Sequence, residues 1–371
     1  MLALFSFKLN RVKTVHNFNA GPSILPREVF QQASAAILDY EGTGLSILEL
    51  GHRTPTFESV LEEARNLVKE LMGLGDEHEV LFLHGGASTQ FLQVPMNLLG
   101  EQEMATYLDT GVWASKAIKE AKNFGKVDVI ASSKEKNYNY IPKEFITAKT
   151  AKYLHITSNN TIYGTQWHDY SPVYEAGIPL VADMSSDILS KCLDFRKFDL
   201  IYAGAQKNIG AAGVTMVIIK KEILGSVERT IPTMLDYQQH IANGSMLNTP
   251  PVFAIYVCLL TLRWLKKQGG VTAIEKINEE KAGLLYQAID NSGIFKGTAV
   301  KEDRSLMNVS FTAESEELEK EFLKVCKEEN FIGVKGHRSV GGFRASIYNA
   351  MPLESVKIFS DFIKNFAQRK G

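Results

Sequence analysis

The chain has 371 residues, 45% hydrophobic and 22% charged, with a formal net charge of −1. This composition excludes a disordered or membrane class, and the near-neutral charge leaves no global field for nucleic acid. Three widely spaced cysteines, Cys192, Cys258 and Cys326, with no CxxC pair, exclude a disulfide framework and fit a reduced, cytoplasmic compartment.

The opening stretch, MLALFSFKLNRVK, has too short an apolar part for a signal sequence, and its basic residues follow that part instead of preceding it. It reads as an extension or a first edge strand. No uncharged apolar run approaches the roughly 20 residues of a membrane span. PREVFQQASAAILDY then has helical periodicity, with Pro26 near the first turn. TPTFESVLEEARNLVKELMGL predicts a second helix, with Thr54 as N-cap, Pro55 at its first position and a glycine after its end.

EVLFLHGGASTQFLQVPMNLL reads as strand, glycine turn and helix. EMATYLD is strand-like and WASKAIKEAKNFG helical; KVDVIAS, AKYLHITSN, IPLVADMSSD, FDLIYAGAQ and GVTMVIIKK are short β-rich runs. Such alternation predicts an α/β domain with a mainly parallel sheet. The last two runs are too close for a helical crossover, which predicts one antiparallel pair. PVFAIYVCLLTLRWLKKQGG is a long helix after a double proline, and VTAIEKINEEKAGLLYQAIDNSG continues helical. The tail alternates strand, helix, strand, helix. The expected division is a large domain over 16–268 and a smaller α+β domain over 269–371 that also takes residues 1–15, because 371 residues exceed one ordinary core.

Four polar segments follow strands: HGGAST, SNNTIYG, ADMSSD and AQKN. In open parallel sheets such ends gather the active site. Lys207 closes an apolar run, where lost hydration disfavours its charge. It is either a lysine reaching the surface or an amine kept partly neutral to attack a carbonyl carbon. GGAST matches neither GxGxxG nor GxxxxGK[ST], yet a glycine turn before a helix can present N–H groups to a phosphate. Asp183 is a cap or a buried partner for a cationic ring nitrogen. Trp113 is core or a stacking surface, and Thr161 caps a turn or donates to a ligand oxygen. No HExxH or Cys/His cluster suggests a metal.

An amine for a carbonyl, a carboxylate for a pyridinium, a flat ring and a phosphate turn are together what pyridoxal phosphate requires. HNFNAGPSILP, GHR, GGASTQF, SNNTIYGT, ADMSSDILS, YAGAQKNIG, NTPPVFAIY and HRSVGGFRASIYNAMP, in this order, resemble the phosphoserine aminotransferase family over nearly the whole chain. The resemblance implies a fold-type-I architecture with a seven-stranded, mainly parallel sheet. It also implies amino transfer between O-phospho-L-serine and 2-oxoglutarate, giving 3-phosphohydroxypyruvate and L-glutamate, in serine biosynthesis. Use of a second substrate in pyridoxine biosynthesis stays open.

By resemblance Lys207 bonds the cofactor aldehyde and moves the proton, Asp183 pairs with the ring nitrogen, Trp113 stacks and Thr161 reaches the ring hydroxyl. Gly86, Ala87, Ser88 and Gln206 hold the phosphate, with Asn248 and Thr249 contributed by a neighbouring subunit of a homodimer. Relatives often carry a basic residue where this chain has Ser88. Arg344 takes the substrate α-carboxylate, which a planar guanidinium suits. His52, Arg53, His337 and Arg338 take the distal anion, the last two from the other subunit. The alternative on the same scaffold, a cysteine desulfurase, needs a mobile reactive cysteine; Cys258 and Cys326 fall in helical text and Cys192 lacks an activating setting.

Overall fold

The computed structural model describes residues 14–370. The edge strand expected in the opening thirteen residues lies outside them. Helix α1 (Arg27–Leu38) buries Val29, Ala33 and Ala36 along one stripe. In α2 (Pro55–Met72) the Thr54 side chain accepts from the Phe57 N–H, and the helix stops at Gly73 with φ 63°, so all three punctuation residues act as expected.

The central sheet contains β1 (His78–Leu83), β2 (Met104–Asp109), β3 (Lys126–Ser132), β4 (Leu154–Thr157), β5 (Leu180–Asp183), β6 (Leu200–Gly204) and β7 (Thr215–Lys220). Helix α3 (Gly86–Leu98) follows β1, and α4 (Val112–Ala121) follows β2. The spatial order is β1-β7-β6-β5-β4-β2-β3. β7 runs antiparallel to both neighbours, and the other pairings are parallel. This is the seven-stranded, mainly parallel sheet expected, with its one reversal where the short FDLIYAGAQ–GVTMVIIKK spacing put it. Every residue of β4, β5 and β6 is buried, because helices cover both faces of a parallel sheet and alternation gives way to continuous apolar text. β3 forms an edge and keeps Lys126 and Asp128, charges that block pairing with another strand.

Helix α5 (Val252–Lys267) packs against α2 and is buried continuously from Ala254 to Leu262. Helix α6 (Gly270–Asp290) leads to a second, antiparallel sheet: β8 (Phe295–Gly297), β9 (Asn308–Ala313) and β10 (Phe343–Ser346). Helices α7 (Glu316–Glu328) and α8 (Leu353–Lys370) complete this unit. Its core is a phenylalanine cluster; Phe322 lies 4.7 Å from Phe343 and 4.9 Å from Phe295, centroid to centroid. His16–Asn17 pairs with Phe331–Ile332, and Phe18 meets Phe359 at 4.7 Å. The first described residues therefore join the C-terminal unit before the chain crosses to the central sheet.

Candidate active site

Register aligns the ends of the central strands on one rim. Leu83 faces Thr215, which faces Gly204; Thr157 faces Asp183, which faces Tyr202. The segments that leave this rim carry Gly86, Trp113, Thr161, Asp183 and Lys207.

Lys207 follows β6 in the loop that turns back into β7. Its Nζ donates to Thr161 Oγ1 at 2.9 Å and lies 5.6 Å from the Trp113 ring centre. Its pKa falls to about 8, chiefly through burial, while Asp183 pulls it upward and Arg344 pushes it down. Asp183, 5% exposed, accepts from the Ser185 N–H at 3.0 Å. Burial raises its pKa, opposed by Ser185 and by the charge of Lys207. A buried carboxylate with one backbone donor and an amine within electrostatic range is poised to gain a cationic partner.

Arg344 sits on β10, across from Ser310 of β9. One guanidinium nitrogen donates to Thr161 O at 3.2 Å, and its buried Nε has no partner. Burial lowers its pKa, with Tyr348 the next influence. Among the described residues no carboxylate forms an ion pair with Arg344. A half-buried guanidinium without an acid is costly unless a ligand supplies the anion. Thr161 thus joins Lys207 through its hydroxyl to Arg344 through its carbonyl.

The segment after Phe18 closes over the lysine. Ser23 N donates to Gln206 O at 2.9 Å, and the Ser23 hydroxyl donates to Lys207 O. The Tyr348 hydroxyl donates to Ala20 O at 2.7 Å and accepts from Asn308 Nδ2 at 3.2 Å. Ser23 and Tyr348 lie in the GPS and IYNAMP segments, whose local pattern carries no sign of these contacts.

Gly85 and Gly86 open α3 with φ 93° and 67°, a left-handed pair that leaves the first helical amides uncapped by any side chain. Ala87 is half-buried and Ser88 exposed. Gln206 is half-buried beside Lys207. Thr249 O accepts from His84 Nε2 at 3.1 Å, next to this turn, while Asn248 is half-buried. His52 has a buried Nε2 without a partner, and Arg53 is exposed. Among the described residues neither the His52–Arg53 pair nor Asn248–Thr249 hydrogen-bonds to the Lys207 cluster. His337 bonds Ser339 Oγ at 2.7 Å; burial lowers its pKa first, then Arg344, Arg338 and Lys116 of the same chain. The loop expected to serve a partner's site thus also lies within electrostatic range of its own Arg344.

The arrangement offers an amine of lowered basicity, a buried carboxylate, an indole face, free helix amides and an unpaired guanidinium. It suits a flat cationic ring bearing an anionic arm, together with a carboxylate substrate. The described residues contain no group of His, Cys, Asp or Glu able to hold a metal ion.

The class-V aminotransferase model matches residues 15–359. The phosphoserine aminotransferase of Flavobacterium psychrophilum is 57% identical over 355 residues, covering 95% of this chain and 99% of that protein. Among solved structures, the phosphoserine aminotransferase of Bacillus circulans subsp. alkalophilus superposes with a TM-score of 0.93 at 46% identity, covering 96% of this chain and 99% of that one. The phosphoserine aminotransferase of Trichomonas vaginalis, solved with PLP bound, gives 0.89 at 34% identity, covering 95% and 100%. On these matches, which span almost its full length, the chain belongs to the class-V aminotransferase family and stands among the phosphoserine aminotransferases.

Proposed function

We propose that the chain is a pyridoxal-phosphate-dependent transaminase that moves the amino group between O-phospho-L-serine and 2-oxoglutarate, yielding 3-phosphohydroxypyruvate and L-glutamate. The observation that carries this reading is the pairing of Lys207 with Arg344 through Thr161, an amine of lowered pKa beside a guanidinium that lacks an acid. Pyridoxal phosphate, when bound, supplies an aldehyde for amines and a ring that withdraws electrons from a substrate α-carbon.

The chain's own groups supply the rest. Lys207 holds or releases a proton at Nζ near neutral pH, which suits a general base better than an ordinary lysine. Thr161 Oγ1 accepts from that nitrogen and fixes its direction. Asp183 is the partner for the ring nitrogen and Trp113 the stacking face. The Gly86 and Ala87 amides, Ser88 and Gln206 hold the phosphate arm. Arg344 binds the α-carboxylate that both substrates share; His52, Arg53, His337 and Arg338 bind the distal anion.

We also propose a homodimer in which Asn248 and Thr249 complete the partner's phosphate site and His337 and Arg338 reach its substrate. Phe30, Leu38, Leu45 and Leu48 support it: they are 54%, 83%, 47% and 61% exposed along α1 and the loop leading to His52, an apolar face of the kind that subunit contacts cover. The chain divides near residue 268 into a cofactor-binding part and a smaller part, which also takes residues 16–18, expected in the large domain; it acts in the cytoplasm, and no described helix is long and apolar enough to cross a membrane.

A desulfurase reading is disfavoured. Cys258 and Cys326 are buried with their thiols pushed up, Cys258 to about 12, and burial also raises the exposed Cys192. The test is spectroscopic. Phosphoserine added to the yellow purified protein should convert the bound cofactor to its amine form, and 2-oxoglutarate should restore the colour. Far faster turnover of alanine or cysteine would overturn the assignment.

A further inference from the structure

We propose that Lys281 is a positioning residue that anchors the turn linking Arg344 to Lys207. The inference rests on the transaminase reading above. Lys281 and Asn278 stand one turn apart on α6, and both are fully buried. The Lys281 Nζ donates to the carbonyls of Ile347, Tyr348 and Met351 at 2.9, 2.8 and 3.3 Å. It has no carboxylate partner among the described residues. A buried amine that spends its donors on three carbonyls of one turn fixes that turn: the Tyr348 carbonyl also accepts from the Met351 N–H at 2.9 Å, but among the described residues the Ile347 and Met351 carbonyls have no other donor and would be buried unsatisfied.

The turn belongs to the site on both sides. Arg344 precedes it on β10, and the Tyr348 hydroxyl within it holds Ala20 O. The Asn349 N–H donates to Asn208 Oδ1 at 2.9 Å, and Asn208 is the residue after Lys207. Asn349 also donates to Leu189 O at 2.9 Å and accepts from Asn278 Nδ2 at 2.8 Å; Asn278 donates to Ser190 O as well. Helix α6 therefore clamps the Ile347–Met351 turn to the loops that follow β5 and β6. A carboxylate-binding arginine on one sheet is thereby held in register with an amine on another. Small misplacements of such groups have large kinetic effects.

The experiment compares Lys281→Met and Asn278→Ala with the wild-type holoenzyme, using Ile363→Val in the neighbouring core as a stability control. At equal cofactor content, Lys281→Met should lower kcat/KM at least tenfold for both phosphoserine and glutamate, and Asn278→Ala three- to tenfold. Ile363→Val should stay within twofold despite a lower Tm. Hydrogen exchange of the Asn349 and Met351 amides in the cofactor-free variants should accelerate at least tenfold, while amides of β4 and β5 keep their protection. The proposal is overturned if Lys281→Met, or Asn278→Ala should the first not fold, keeps kcat/KM within twofold. It is equally overturned if exchange accelerates uniformly over the whole chain. Wild-type turnover tests the function; the variant ratios and the cofactor-free exchange test the anchor.

Discussion

Replacing Arg344 with methionine separates binding from folding. Methionine keeps most of the volume and removes the charge. In the free protein the change costs one hydrogen bond, to Thr161 O at 3.2 Å, worth about 1 kcal/mol. It also removes a half-buried guanidinium that has no acid beside it and an Nε without a partner, a burial penalty of similar or larger size. The two nearly cancel, so thermal stability should stay within about 1 kcal/mol of wild type or rise. With substrate bound the balance differs. In the proposed role two charge-assisted bonds to the α-carboxylate would be lost, each worth about 1.5–3 kcal/mol. At 1.4 kcal/mol per tenfold, kcat/KM should fall roughly 10²- to 10⁴-fold, and the fall should be shared by phosphoserine and glutamate because both present the same carboxylate. Steady-state kinetics with each substrate, beside calorimetric unfolding of the cofactor-free protein, measure the two effects. Retention of kcat/KM within threefold for either substrate would refute the carboxylate role. A stability loss above about 3 kcal/mol would show the residue to be structural instead.

Lys207→Met should abolish transamination and also stabilise the cofactor-free fold at pH 7. The folded pKa of about 8 lies below the free value of 10.5, so between these values the unfolded chain binds the extra proton and stability rises with pH. The gain from the substitution, on the order of 2–3 kcal/mol at pH 7, should shrink from pH 8 upward and vanish by about 10.5 in urea titrations. Asp183→Asn should reduce kcat about 10²–10³-fold, with a smaller change in KM, since in the proposed role its charge acts on the ring and not on the substrate arms; an unchanged kcat would refute that role. Gly210→Ala places a Cβ 2.4 Å from Cys258 Sγ, which should cost about 1–3 kcal/mol. Denaturant unfolding should show part of that cost restored by adding Cys258→Ala.

Much of the fold could be read because its elements carry their own signals. Thr54, Pro55 and the glycine at 73 punctuate α2, and the close spacing of β6 and β7 forces their reversal. Short elements escaped: Asn159–Asn160 pairs with Thr165–Gln166 as a two-residue hairpin inside SNNTIYGTQ, where no apolar alternation marks a strand. The pairing of His16–Asn17 with Phe331–Ile332 joins distant parts of the chain, which local patterning cannot express. Lys207 and Asp183 stood out because a charge closing an apolar run is unusual. Lys281 did not, since in EKINEEKAG it reads as one more solvated helix charge, and only tertiary packing buries it. Likewise Asp187, whose carboxylate takes bonds from Ser158 and from Gln166 at 3.0 Å, closes the ADMSSD segment, whose polar text gives no sign of depth.

The reversal of β7 has a practical corollary. Since Gly204 and Thr215 face each other across the β6–β7 pair, residues 205–214 form a loop whose two feet stand side by side. That loop is anchored and cannot be exchanged whole: Ala205, Asn208 and Ile209 are buried, and Asn208 donates to Ile188 O and accepts from the Asn349 N–H. Only Ala212 and Gly213 are exposed within it, so a designer's insertion that spares the scaffold belongs there, where the pairing on either side stays untouched.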